Sequence, residues 1–163
     1  QQGSVVYQQG VFGTFVRKLD QRDLRTVRRY LAKETLKASS AGTYIIDIPI
    51  TLFEGFAGYT EFKITGVAFD HSQAWIGAFA LNPPTIECGT PGDPDYLFGP
   101  VSLGVAAATY RKQAAITGFS PTLLPGATPI RFTIAAGDGG TFNNGTFDCG
   151  DLFIWVSIEG YTQ

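Results

Sequence analysis

The stretch LFIWVSIE, residues 152–159, decides the class of fold. Six of its eight residues are apolar, and they are of the β-branched and aromatic types that suit a pleated, half-buried surface. Such near-continuous apolarity in a strand implies burial on both faces or a central place in a packed sheet.

Working outward, IRFTIA (130–135) is a second strand, followed by the glycine loop AAGDGG (135–140). TFNNGTFD (141–148) then reads as a hairpin, with Asn144-Gly145 as its two-residue turn flanked by Phe142 and Phe147. SPTLLPGATP (120–129) is turn-rich, and VSLGVAAATYRKQAAI (101–116) reads as strand from its alternating Val101, Leu103 and Val105. NPPTIECGTPGDPDYLFGP (82–100) holds five of the nine prolines and is expected to be a long ordered loop. Before it, AWIGAFAL (74–81) and YTEFKITGVAF (59–69) are expected strands, the latter with Phe62 and Ile64 opposite Tyr59, Glu61 and Lys63. TYIIDIPITLF (43–53) is another, and its Pro49 argues for an edge or a bulge.

Residues 20–37 allow two readings. Leu24, Val27 and Leu31 fall at i, i+3 and i+7, Asp20 can cap, and no Gly or Pro interrupts, which describes a helix. Alternatively 24–37 is a strand that turns at Ser39-Ser40-Ala41-Gly42 to pair with the one beginning at Thr43. Residues 3–16, with short apolar bursts at Val5, Val6, Tyr7 and at Val11, Phe12, are expected to form a terminal arm or edge strand.

Composition agrees with this pattern. Of 163 residues, 44% are apolar and 16% charged, which disfavours disorder. Twenty glycines and nine prolines are too many for a helical bundle, while thirteen phenylalanines and seven tyrosines supply strand formers. Eight or nine strands with turn signals every ten to fifteen residues predict an all-β, two-sheet antiparallel sandwich. The eight-stranded solution is a jelly roll, here with one candidate short helix near the N-terminus. The expected division is an arm over 1–16 and a single β-sandwich domain over 17–163. No apolar run reaches the roughly 18 residues a membrane helix needs, so a soluble chain is expected, and the start at Gln1-Gln2 reads as a mature form.

Net charge is −2, but residues 17–37 carry +5 and the remainder −7. Arg17, Lys18, Arg22, Arg25, Arg28 and Arg29 dominate the basic segment, which can face acidic loops of another copy, an anionic membrane or nucleic acid. Cys88 and Cys149 lie in similar acidic, glycine-containing settings and are a candidate disulfide, within or between chains; an intrachain bond would close about 60 residues and contribute roughly 4 kcal/mol. The rival reading is two free thiols.

No catalytic pattern is present in the sequence. The one histidine, His71, stands between Asp70 and Ser72, and three consecutive residues cannot form a triad. One histidine and two distant cysteines give no zinc spacing. Gly137-Asp138-Gly139-Gly140 lacks the Lys-Ser/Thr of a phosphate loop. Asp93, Asp95, Asp138, Asp148 and Asp151 are oxygen ligands a calcium ion could use, but fit no EF-hand, and turn capping accounts for them as well. No enzyme activity, metal, cofactor or small-molecule substrate is expected. Trp75 and Trp155 lie in apolar strands and are expected in the core, while Tyr96, Phe98 and Tyr161 are expected to be exposed and available for contacts. Asn144-Gly145-Thr146 is also a glycosylation sequon.

The leading arm, the basic N-terminal segment, the Phe-rich strands punctuated by Gly and Pro, and the terminal LFIWVSIE together resemble the small single jelly-roll capsid proteins of icosahedral viruses. The plan is most similar to those of tailless, membrane-containing phages of thermophilic bacteria. The resemblance covers the general layout of the whole chain, and it implies a structural subunit located in the virion. Its partners would be copies of itself and other shell subunits. Two alternatives share the fold: a secreted carbohydrate-binding module of lectin type, and an extracellular filament subunit joined by donor strands.

Overall fold

In the computed structural model, the described residues are 22–53, 61–104, 109–112 and 124–161. In chain order they form β1 (Arg22–Leu31), α1 (Lys33–Lys37), β2 (Thr43–Ile48), β3 (Glu61–His71), β4 (Thr85–Thr90), β5 (Asp93–Ser102), β6 (Thr109–Lys112), β7 (Leu124–Pro125), β8 (Ile130–Ala135) and β9 (Leu152–Tyr161). Two antiparallel sheets face each other. Sheet A runs β1-β9-β3-β6, with the two-residue β7 also on β3, and sheet B runs β2-β8-β4-β5. Six of the eight successive strand pairs therefore change sheet, the exceptions being the β4–β5 hairpin in sheet B and β6–β7 in sheet A, and this crossing between sheets is the winding of a jelly roll.

The LFIWVSIE strand, β9, is central, with β1 and β3 on either side. Its burial nevertheless alternates: Leu152, Ile154, Val156 and Ile158 are buried, while Phe153, Trp155 and Ser157 are only partly covered on the outer face. Of the two expected outcomes the central place holds and burial on both faces does not, because sheet B covers only the inner side. Opposite lie Ile130, Phe132 and Ile134 of β8, Ile86 and Cys88 of β4, and Phe98 of β5. Phe98 stacks on Phe69 at 5.8 Å and meets Phe132 edge-on at 6.3 Å, tying the sheets together.

In β3, Phe62 and Ile64 point inward as the alternation requires. A bulge between Ile64 and Gly66 then inserts one residue, so Val67, Phe69 and His71 become the inward set. β2 ends before Pro49, which opens a short 3-10 turn over Ile50–Leu52, and β2 lies at the edge of sheet B as that proline suggested.

Of the two readings of 20–37 the strand holds for 22–31, though with another partner, and three further expectations are overturned. Residues 22–31 form a strand and only 33–37 a helix, because β9 has backbone groups on both sides and β1 satisfies one row of them over ten paired residues. The partner of β1 is thus β9, not the strand at Thr43. Residues 82–100 are not a loop but contain the β4–β5 hairpin; Pro94 and Pro100 are tolerated because β5 is an edge strand. Residues 74–81 are not a strand: only an isolated bridge, Ile76 to Asp148, is found there. Finally, Asn144-Gly145 does not close a hairpin. Residues 141–147 form successive turns, and Phe142 and Phe147 both turn into the core with ring centroids 5.2 Å apart. Of 101–116, residues 101–102 end β5 and 109–112 form β6.

Candidate assembly surface

Leu31 and His71 both pair with Leu152, Thr43 and Thr85 both pair with Ala135, and Thr85 also pairs with Ser102. The β1–β2, β3–β4, β5–β6 and β8–β9 connections therefore all leave from one end of the sandwich. They are bonded to each other there. Ile76 and Asp148 exchange both backbone hydrogen bonds at 2.8 and 3.1 Å, and the Trp75 N–H donates to the Leu103 carbonyl at 2.9 Å. The Phe142 N–H donates to Ala41 and the Ala136 N–H to Gly42, each at 2.9 Å. Side chains add to this: Lys37 Nζ meets Asp148 Oδ1 at 2.8 Å, and Asp151 Oδ1 accepts the Lys33 N–H at 3.0 Å, satisfying a free donor at the start of α1. The Lys37 hydrogen bond holds the Asp148 carboxyl below its ordinary range, against the opposing effect of burial.

From this bonded end a short apolar knuckle projects. Phe79 is 57% and Leu81 81% exposed, with Ile76 at 46% beside them. One carboxylate sets its shape. Asp138 Oδ2 accepts the N–H groups of Phe79 and Leu81 at 3.1 and 3.0 Å, and Oδ1 accepts the backbone N–H and the Nδ2 of Asn82 at 2.6 and 2.9 Å. Partial desolvation pushes this carboxyl up, but the four hydrogen bonds outweigh it and leave it below its ordinary value. Ala80 and Asp138 both adopt left-handed backbone conformations, with φ of 60° and 57°. A non-glycine residue is costly there, of order 1–3 kcal/mol, and persists only when its surroundings over-determine it.

A second surface lies on the flank, where the edge strands β1 and β2 of the two sheets run beside each other without covering the space between. The groove there, about 420 Å³, is lined by Tyr30, Leu31, Tyr44, Ile45 and Ile46, with Arg29 at its side. Tyr30 and Ile45 are 55% and 49% exposed. On the adjoining outer face of sheet A, the Arg28 guanidinium lies 4.5 Å from the Phe153 ring centroid and 5.5 Å from that of Trp155, and Phe153 packs on Tyr30 at 4.9 Å.

The residues singled out in the sequence are distributed as follows. Val5, Val6, Tyr7, Val11 and Phe12, and also Arg17 and Lys18, lie outside the described residues. Arg22, Arg25, Arg28 and Arg29 all belong to β1, the edge of sheet A, and of these Arg29 lines the groove while Arg28 lies on the outer face. Tyr96 and Phe98 are on β5, and the expectation that they are exposed fails: Phe98 is buried and Tyr96 is half-buried against the core, since both were read as loop residues when they belong to an edge strand over sheet A. Trp75 is buried as expected, whereas Trp155 is on the outer face. Cys88 and Cys149 are both buried and free, so the disulfide is not formed; Cys88 points into the core from the middle of β4, while Cys149 sits in the loop entering β9. His71 is buried at the end of β3, its Nδ1 2.7 Å from the Gln73 carbonyl oxygen. Among the described residues, no group of acidic, His and Cys side chains is arranged to hold a metal ion. No helix among them is long and apolar enough to cross a membrane.

Phe79, Leu81 and the Asp138 clamp were not found from the sequence. AFAL reads as strand until one knows that no strand pairs with it. The available signal was the combination of an apolar run stopped by Asn82-Pro83-Pro84 with a distant Gly137-Asp138-Gly139 that demands left-handed backbone.

No protein-family model and no curated protein matches the chain. Among solved structures, it is similar to the capsid asymmetric unit of cyanophage Pam1, with a TM-score of 0.43 and 12% identity over 87% of this chain and 85% of that one.

Proposed function

We propose that this chain is a structural subunit that builds a closed shell from copies of itself and other shell subunits, a capsid protein of the virion with no catalytic role. The observation that carries the reading is the knuckle: large apolar side chains held out into solvent by a strained loop whose 79–82 N–H groups are all hydrogen-bonded, at one end of the sandwich. Solvent-exposed apolar side chains held in one fixed conformation suit a surface that is covered when copies meet.

On this reading residues 3–16 act as an arm that adds to an unpaired sheet edge of a neighbour, and the basic segment over 17–37 faces acidic loops of a neighbour, an anionic membrane or nucleic acid. Rigid-body packing suits such a sandwich, since its two sheets share one aromatic-rich core. The test is the mass of the purified full chain by light scattering across a concentration series, with electron micrographs of the largest species. Closed particles are expected; a monomer at every concentration would overturn the proposal.

The carbohydrate-binding alternative has one observation in its favour, the outward row of Tyr30, Phe153 and Trp155. Arg28 already lies over two of these rings, however, on a face a sugar would need. Glycan-array binding by a small discrete oligomer would favour that reading instead.

A further inference from the structure

Six large hydrophobic residues are exposed among the described residues, and five of them fall in two places. Ile76, Phe79 and Leu81 make the projecting knuckle; Tyr30 and Ile45 open the groove between β1 and β2. We infer that Phe79 and Leu81 of one copy seat in the β1–β2 groove of a second copy. This rests on the self-assembly reading above and specifies its contact.

The two surfaces complement each other in shape and in charge. One is convex and shaped by backbone hydrogen bonds; the other is a concavity of about 420 Å³ between two sheet edges. Arg29 and Asp47 both line the groove, but Asp47 is held by Arg131 at 2.8 Å, so Arg29 is left to face Asp138, which sits at the base of the knuckle with its carboxyl favoured in the ionised form. Residues 72–86 carry no charge, so no charged side chain of that segment has to be desolvated. A lipid surface fits less well: Glu34, Asp138, Asp148 and Asp151 outnumber Lys33 and Lys37 at this end, which disfavours an anionic membrane.

Because knuckle and groove are different parts of one chain, the contact is heterologous and repeats from copy to copy. The groove extends to Ala32 and Thr35, in the connection that leaves β1 at the same end from which the knuckle projects. Two side chains cover only part of the roughly 1,200–2,000 Å² that a stable pairwise interface buries, so strength would come from repetition.

The test uses two full-length variants, Leu81→Glu on the knuckle and Ile45→Glu in the groove; both sites are about half or more exposed, so thermal unfolding should stay within a few degrees of the parent. Each variant alone is expected to need at least tenfold more protein than the parent chain before assembly begins. Mixed together at the concentration at which the parent assembles and then cross-linked chemically, they are expected to yield more one-to-one heterodimer than either variant yields of dimer alone, since one retains the groove and the other the knuckle and their single contact is weak. If the parent assembles and both variants assemble as readily, the inference fails while the shell reading stands. If Leu81→Glu is defective while Ile45→Glu assembles as the parent does, the knuckle meets some other surface and the groove assignment is wrong; if both are defective and the mixture yields no heterodimer, the two surfaces do not meet each other and the inference fails. If the parent instead pellets with phosphatidylcholine–phosphatidylglycerol vesicles through Leu81, with assembly unchanged by either variant, the occupant is lipid and the inference fails. A parent chain that stays monomeric throughout overturns the function itself.

Discussion

Asp138 and Asn82, 56 positions apart, are joined by two hydrogen bonds to a single carboxylate oxygen, one from the Asn82 backbone N–H at 2.6 Å and one from its Nδ2 at 2.9 Å. This pair locks the β8–β9 connection to the β3–β4 connection, and the exposed Phe79 and Leu81 inherit their positions from it. The same carboxylate makes the end of the sandwich sensitive to acid.

The carboxyls of Asp47, Asp138 and Asp148 all lie below the ordinary value of 3.8. A carboxyl depressed in the folded state contributes stability that is fully present above its unfolded value and is lost as pH falls through its folded value. Glu87, raised by desolvation, and Asp93, raised by its hydrogen bond with Asp95, act with the opposite sign and stabilise the fold as they protonate. Thermal stability should therefore hold between pH 7 and about pH 4 and fall below it. In Asp138→Ala the fall should be shallower, because one of the three depressed groups is gone. Melting curves at pH 7 and pH 3 check this, and an identical pH 7-to-3 drop in parent and variant would contradict it.

Gly137 has φ of +82°, and a Cβ there would run into the Asn82 carbonyl oxygen and crowd Pro83. Gly137→Ala should cost at least about 1–3 kcal/mol, read as a lower melting temperature of roughly 2–4 °C for each kcal/mol. Gly145→Ala, with open space at its Cβ and no left-handed backbone, should change it little.

Phe98 joins the two sheets through Phe69 and Phe132. Phe98→Ala should destabilise the chain by about 3–5 kcal/mol in a urea titration. A cost under about 1 kcal/mol would mean that the residue is exposed after all.

Burial pushes the Cys149 thiol up to about 12, and the Cys88 thiol, which is fully enclosed, well above its ordinary range. Neither should react with an aromatic disulfide reagent at pH 8 in the folded state, and both should react in denaturant. Added reductant should leave the melting temperature unchanged; a drop would reveal a disulfide.

Deletion of residues 1–16 tests the arm. The expected outcome is a smaller assembled species in light scattering. Unchanged particle size would remove the arm from the mechanism.

Much of the core was legible because it depends on local pattern. Alternation in IRFTIA placed Ile130, Phe132 and Ile134 on one face, and the apolar run of LFIWVSIE required a central strand. Residues 22–31 were legible only as a choice, since the i, i+3, i+7 spacing of Leu24, Val27 and Leu31 fits a helix, the loop at Ser39–Gly42 suits a strand, and the demand of β9 for a second partner decides between them. The same holds for AFAL, whose apolar residues look like core until the hydrogen bonds around them are assigned.

Sequence by itself determined that the chain is an all-β sandwich and which alternating residues fill it, because side-chain period and turn chemistry act over a few residues. Tertiary structure alone decided which strands pair, that Phe98 is buried, that the cysteines remain thiols, and that Phe79 and Leu81 face solvent. Those outcomes depend on backbone hydrogen bonds and contacts between residues far apart in the chain, such as Asp138 with Asn82, which no local pattern records.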